Sequence, residues 1–223
     1  MFPLRDSEQS ASTPFVTVGL ILVNLLAFFY ELSLDDFSLN HFLVEWGTVP
    51  RNFEFTDILT SMFLHGGWMH VIGNVWFLWI FGDNIEDILG HSNYLIFYLL
   101  CGIVGGLLHV AFNPNSAVPA IGASGAISGV MGAYLVRFPR SRIHTLLFFL
   151  IFATTIEVPA MLMIGYWFVV QLFSGFGHLA MAGGDQGGTA WFAHIGGFVA
   201  GMALIRMLPT RPSGRVRQEF RWK

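Results

Sequence analysis

Apolar positions dominate six stretches of the chain, at residues 13–32, 63–81, 93–112, 124–136, 157–173 and 189–208, and polar residues gather in most of the breaks between them. A spanning helix needs ~20 predominantly apolar residues to cross a ~30 Å hydrocarbon core. The pattern therefore predicts an all-α integral membrane protein built as a six-transmembrane-helix bundle. The fourth stretch is shorter than the rest: a helix from Ser124 to Val136 is only about 20 Å long at ~1.5 Å per residue. Its outer end is predicted to lie within the membrane. Non-helical backbone is tolerated at that depth only inside protein or beside a water-filled cavity. Residues 113–123 are accordingly predicted to form a re-entrant loop before a short fourth helix, next to an aqueous pocket.

Composition agrees with this pattern. The chain is 54% hydrophobic and 11% charged, which excludes an ordinary soluble domain. The first stretch is too long, and too weakly basic before it, for a cleaved signal peptide, so it is expected to remain in the mature chain. Of the eleven Lys and Arg residues, the six-span count puts all but Arg51 on one side. The positive-inside rule makes that side cytoplasmic, with both termini there. The expected organisation is a cytoplasmic N-terminal segment (1–12), one membrane domain (13–208) and a basic cytoplasmic tail (209–223). Cys101, the single cysteine, falls in an apolar stretch and behaves as a small hydrophobe. A bacterial plasma membrane is the expected location, with the bilayer and no nucleic acid as partner.

Polar side chains inside spans are costly and mark candidate functional sites. The second stretch contains His65-Gly66-Gly67-Trp68-Met69-His70-Val71-Ile72-Gly73-Asn74. His70 and Asn74, four apart, share one helical face. A helix entering near Phe63 would put them about 10 and 16 Å deep. Interhelical hydrogen bonding accounts for this pair as well as a functional site does. Ile121-Gly122-Ala123-Ser124-Gly125-Ala126 opens the short fourth helix, where free N–H groups and the positive dipole end favour an anion. Ser124 also suits a simple helix cap. In the last stretch, His194 precedes Gly197 and Gly201, and a G-x-x-x-G spacing lets a neighbouring helix approach at backbone distance. A Ser–His pair on two such helices requires that closeness, because proton transfer needs heavy atoms ~2.6–3.2 Å apart.

Taken together, His and Asn four apart in the second span, G-x-S-G opening the fourth, and A-H-x-x-G-x-x-x-G in the sixth resemble the rhomboid intramembrane proteases. The resemblance covers nearly all of residues 13–208. It implies a serine endopeptidase without metal or cofactor, with Ser124 as nucleophile and His194 as general base. It further implies an oxyanion hole from His70, Asn74 and the Ser124 backbone N–H, a turn at Gly122, and a supporting role for His65. The implied substrates are single-pass membrane proteins, cut in or next to their transmembrane segment.

Two positions depart from the family pattern. Ser128 stands where bacterial members place a Tyr under the catalytic His, so His194 must be held in another way. Thr56 and Asp57 replace a frequent Trp-Arg pair. A catalytically inactive relative that binds membrane clients would share the fold, but such members generally lose the Ser or the His. A metal-binding protein or transporter could use His65, His70, His109 and His194, but it leaves the G-x-S-G unexplained. His109, His144, His178, Gln171 and Asn24 read as structural or interfacial. The fifth span, with Trp167, Phe168 and Phe173, is a candidate gate for substrate.

Overall fold

The computed structural model describes residues 2–149, 152–180 and 190–211. Among them lie eight α-helices and three strands. Helix α1 (Phe15–Glu31) starts against Glu86, whose carboxylate accepts from the backbone N–H groups of Val16 and Thr17, both at 2.8 Å. The acid thus satisfies donors that a helix start leaves open. Next come α2 (Asp36–Trp46), capped by the Asp35 side chain on Ser38 N–H at 2.7 Å, a 3-10 turn at Pro50–Asn52, and the short α3 (Phe55–Ser61).

Helix α4 (Trp68–Leu89) begins later than the hydropathy pattern predicts, because Phe63 to Gly67 form a turn. His70 consequently lies in the first turn of α4, roughly 3 Å along it at ~1.5 Å per residue, and not deep in a span that starts at Phe63. Gly90, at φ 77°, reverses the chain directly into α5 (His91–Phe112), in the left-handed region where a Cβ is disfavoured. Helix α6 (Ser124–Arg137) has the bounds read from the sequence to within a residue. It is buried from Gly125 to Tyr134.

The all-helical expectation omitted a sheet. Strands β1 (Phe2–Asp6), β2 (Arg142–Phe149) and β3 (Phe152–Pro159) pair antiparallel in the order β1-β2-β3. Glu157, placed by hydropathy at the start of the fifth span, belongs to β3 instead, 3.7 Å from Arg142 and 3.9 Å from His144. Tyr134, on the last turns of α6, donates to Asp6 of β1 and meets Ser141 Oγ at 2.6 Å, tying sheet to bundle. Helix α7 (Ala160–Ala180) follows β3, and α8 (Trp191–Met207) closes the bundle.

Two described helices, α5 and residues Ala160–Gly177 of α7, are long and apolar enough to cross a membrane, while α1 and α8 are apolar but shorter. The core lies between α4, α5 and α6, around Phe81, Ile85, Tyr94, Phe97 and Val130. Glycines bring α8 against α5 and α6. A Cβ on Gly197 or Gly201 would collide with the carbonyl oxygens of Gly125 and Gly129, and one on Gly105 would lie 2.6 Å from Ala193 O. Packing at backbone distance is therefore the reason for the small residues in these helices. The tail beyond residue 211 and the His178 side chain lie outside the described residues.

Candidate active site

Ser124 is the first residue of α6 and His194 lies in the first turn of α8. The Gly125–Gly197 contact just inside these ends fixes the separation of the two side chains. Ser124 Oγ and His194 Nε2 are 2.7 Å apart, within the ~2.6–3.2 Å that proton transfer requires. His194 is buried, and its other ring nitrogen, Nδ1, lies 2.7 Å from Oε1 of the buried Gln171 on α7. Trp167, one turn earlier on α7, sets its ring against the imidazole with centroids 5.7 Å apart. Ser128, at the position of the missing Tyr, turns away: its hydroxyl donates to the Ser124 carbonyl at 2.6 Å.

A second group of polar side chains faces this pair across the loop 113–123. Ala120 forms an antiparallel bridge with Thr48, and Gly122 N–H donates to Ser61 O at 2.8 Å, so the loop is hydrogen-bonded to the region before α4. Gly122 has φ +120°, and a Cβ there would lie 2.6 Å from His70 Nε2 and 3.6 Å from Asn74 Nδ2. The loop thus passes so close to both side chains that only glycine fits. His70 Nδ1 accepts from Gly66 N–H at 3.3 Å. In a neutral ring the proton is then on Nε2, which faces Gly122.

His65 is buried behind them. Its Nδ1 meets Phe63 O at 3.2 Å and its Nε2 meets Asn74 Nδ2 at 3.0 Å. A carbonyl can only accept, so Nδ1 carries the proton and Nε2 accepts one N–H of Asn74, leaving the second amide hydrogen for the pocket. The His65 backbone N–H donates to Glu31 at 3.1 and 3.2 Å, which anchors this turn to the end of α1. A cavity of about 1090 Å³ joins the two groups and is lined by His70, Asn74, Ser124, Trp167 and His194 among others.

All six residues singled out from the sequence, His65, His70, Asn74, Gly122, Ser124 and His194, are thereby brought to one place. Gln171 is the addition. Sequence reading classed it as structural or interfacial, yet it makes the closest polar contact to the second imidazole nitrogen of His194. Its signal was an amide inside an apolar helix, which calls for a partner. His109 lines the same cavity and meets Asn113 at 3.4 Å. Among the described residues no three His, Cys, Asp or Glu side chains converge as metal ligands.

A family model described as "Rhomboid domain" matches residues 52–211. The chain belongs to the rhomboid family. It is thereby an integral membrane protein of a protease family. It is 32% identical over 196 residues to rhomboid protease GluP of Bacillus subtilis (strain 168), covering 86% of this chain and 35% of that protein. It is 28% identical over 178 residues to RHOMBOID-like protein 6, mitochondrial, of Arabidopsis thaliana, covering 80% and 51% respectively. It is also 35% identical over 92 residues to a plant rhomboid named as inactive, Inactive RHOMBOID-like protein 8 of Arabidopsis thaliana, covering 41% and 26%. The chain spans about a third to a half of the length of the first two of these rhomboid relatives.

Proposed function

We propose that this rhomboid is an active intramembrane serine endopeptidase that cleaves single-pass membrane proteins in or next to their transmembrane segment. The observation that carries the reading is the 2.7 Å contact between Ser124 Oγ and His194 Nε2 at the wall of a cavity that His70 and Asn74 also line. His194 takes the Ser124 proton as the oxygen attacks the peptide carbonyl. The tetrahedral oxyanion accepts hydrogen bonds from His70 Nε2–H, the second N–H of Asn74 and the backbone N–H of Ser124. Loss of one such donor typically removes ~2.7–4 kcal/mol of transition-state stabilisation. His194 then gives its proton to the leaving amine, and the C–N bond breaks to leave an acyl-enzyme. The same imidazole deprotonates a water that hydrolyses the ester and regenerates Ser124.

In this reading α1, α4, α5, α6, α7 and α8 are the six transmembrane helices, and residues 113–123 are the re-entrant loop that brings water to Ser124. Both termini are cytoplasmic, the membrane domain covers 13–208 between short terminal segments, and the setting is a bacterial plasma membrane. The ten basic residues outside the first loop support this orientation by the positive-inside rule. The bond from β1 to Tyr134, near the inner end of α6, is consistent with it.

The test is cleavage of a model single-pass substrate in proteoliposomes by wild type, Ser124→Ala and His194→Ala. Wild-type cleavage lost in both variants, with unchanged thermal unfolding, is the expected outcome. Activity surviving Ser124→Ala rejects the nucleophile assignment. A wild type that binds substrate helices without cutting them favours the client-binding alternative, which the similarity to a relative named as inactive keeps on the table.

A further inference from the structure

We infer that Gln171 is a positioning residue for His194, setting the tautomer and the ring plane of the catalytic base from helix α7. This role rests on the protease reading above. Neutral imidazole has one N–H and one bare nitrogen, and a general base must present the bare one to its nucleophile. With Nε2 facing Ser124 Oγ at 2.7 Å, the proton belongs on Nδ1, and the atom 2.7 Å from Nδ1 is Oε1 of Gln171. A carboxamide oxygen accepts that N–H. It also stabilises the positive charge that develops on the ring when Ser124 is deprotonated, although less than a carboxylate does. The amide group must therefore be oriented oxygen-first, since its NH2 in that place would stabilise the unreactive tautomer.

Packing supports the hydrogen bond. Gln171 is 5% exposed and His194 7%, so water does not readily replace the amide. Trp167 lies one turn away on the same face of α7, its ring tilted 36° to the imidazole with centroids 5.7 Å apart. The two α7 side chains thus supply a hydrogen bond and a ring contact to His194, while the Ser128 hydroxyl is turned to the Ser124 carbonyl. The base is consequently carried by α8 but aimed from α7. Shifting α7 by an ångström or two is enough to break a hydrogen bond of this length.

Two measurements on full-length protein in proteoliposomes test this. In steady-state cleavage, Gln171→Leu should lower kcat about 10- to 100-fold, by analogy with the loss of partners that orient metal-bound imidazoles, with KM unchanged. In the 15N spectrum of histidine-labelled protein, the His194 resonances, identified by their loss in His194→Ala, should report Nδ1–H in wild type and a tautomer mixture in Gln171→Leu. If Gln171→Leu does not fold, Gln171→Met retains the length without the acceptor and is read in the same way. Wild-type kcat in the variant, or an Nε2–H tautomer in the wild type, overturns the role of Gln171. If the wild type does not cleave at all, the protease reading fails on its own, and the tautomer measurement still decides whether Gln171 orients the ring.

Discussion

The two walls of the cavity are built on opposite terms. On one side α6 and α8 meet backbone to backbone at Gly125–Gly197 and Gly129–Gly201, and they carry Ser124 and His194. On the other side α7 meets α8 through large side chains, with Phe168 stacked on Phe198 at 4.3 Å and Trp167 6.2 Å from the same ring. The outward face of α7, with Leu162, Tyr166 and Phe173, is exposed. The seam fixes a distance, whereas α7 supplies orientation through contacts that side-chain motion can remake. A site divided in this way can keep its reacting atoms in register while one wall yields to admit a substrate helix. Under the proposed function a tilt of α7 would gate the site, and the Gln171 contact would link that tilt to His194.

The contrast is broken most severely at the seam. Gly201→Leu forces a branched side chain into the Gly129 carbonyl, and overpacking of this kind costs about 3 kcal/mol or more when neither backbone can retreat. Loss of the cooperative thermal transition in detergent is the expected result. Phe173→Ala, at a residue 78% exposed on α7, should change stability by no more than about 0.5 kcal/mol. Equal destabilisation by the two would dissolve the distinction between the walls.

The next effect lies on catalysis. Gly122→Ala places a methyl 2.6 Å from His70 Nε2 at φ +120°, displacing the imidazole that the proposed mechanism assigns to the oxyanion and straining the loop. Cleavage should fall by about 10²–10³ in kcat, the effect of losing one oxyanion-hole donor, while Ser124 still reacts with a small fluorophosphonate. Retention of full activity would remove His70 from the oxyanion hole.

The smallest effect concerns the far end of α6, where β1 is tied on. Burial raises the Asp6 carboxyl to about 7, against the lowering influence of the Tyr134 hydroxyl. A carboxyl with a raised folded-state value contributes stability below its unfolded value and loses it as pH climbs through the folded one. Asp6→Asn cannot ionise, so its melting temperature relative to wild type should increase steadily from about pH 4 to about pH 8, by the sign of that linkage. A difference that stays flat over this range would mean that Asp6 titrates normally.

The candidate site was largely legible in the sequence because its parts contradict their surroundings. Ser, His and Asn inside apolar stretches stand out against the cost of burying them, and the glycines near Ser124 and His194 announce close approach. Gln171 carried the same signal but sits 23 residues from its partner, and nothing in the local spacing pairs them. The sheet was hidden for another reason. The run from Ile143 to Val158 is apolar and rich in Thr, Ile and Phe, and hydropathy alone does not separate a strand from a helix in such a segment. Phe63 to Gly67 was absorbed into the second span by its apolar residues, although Gly66-Gly67 is a chain-breaking signal.

The seam of α6 and α8 has a mechanical consequence. A joint without side chains has no rotamers to exchange and almost no free volume to surrender, which makes it stiffer than the side-chain packing elsewhere. Tension, thickness and lateral pressure in the surrounding lipid act on the large exposed residues of α1 and α7. The spacing of the two helices that carry Ser124 and His194 is thereby shielded from the mechanical state of the bilayer, whereas the Gln171 contact to the imidazole, made from α7, is exposed to it.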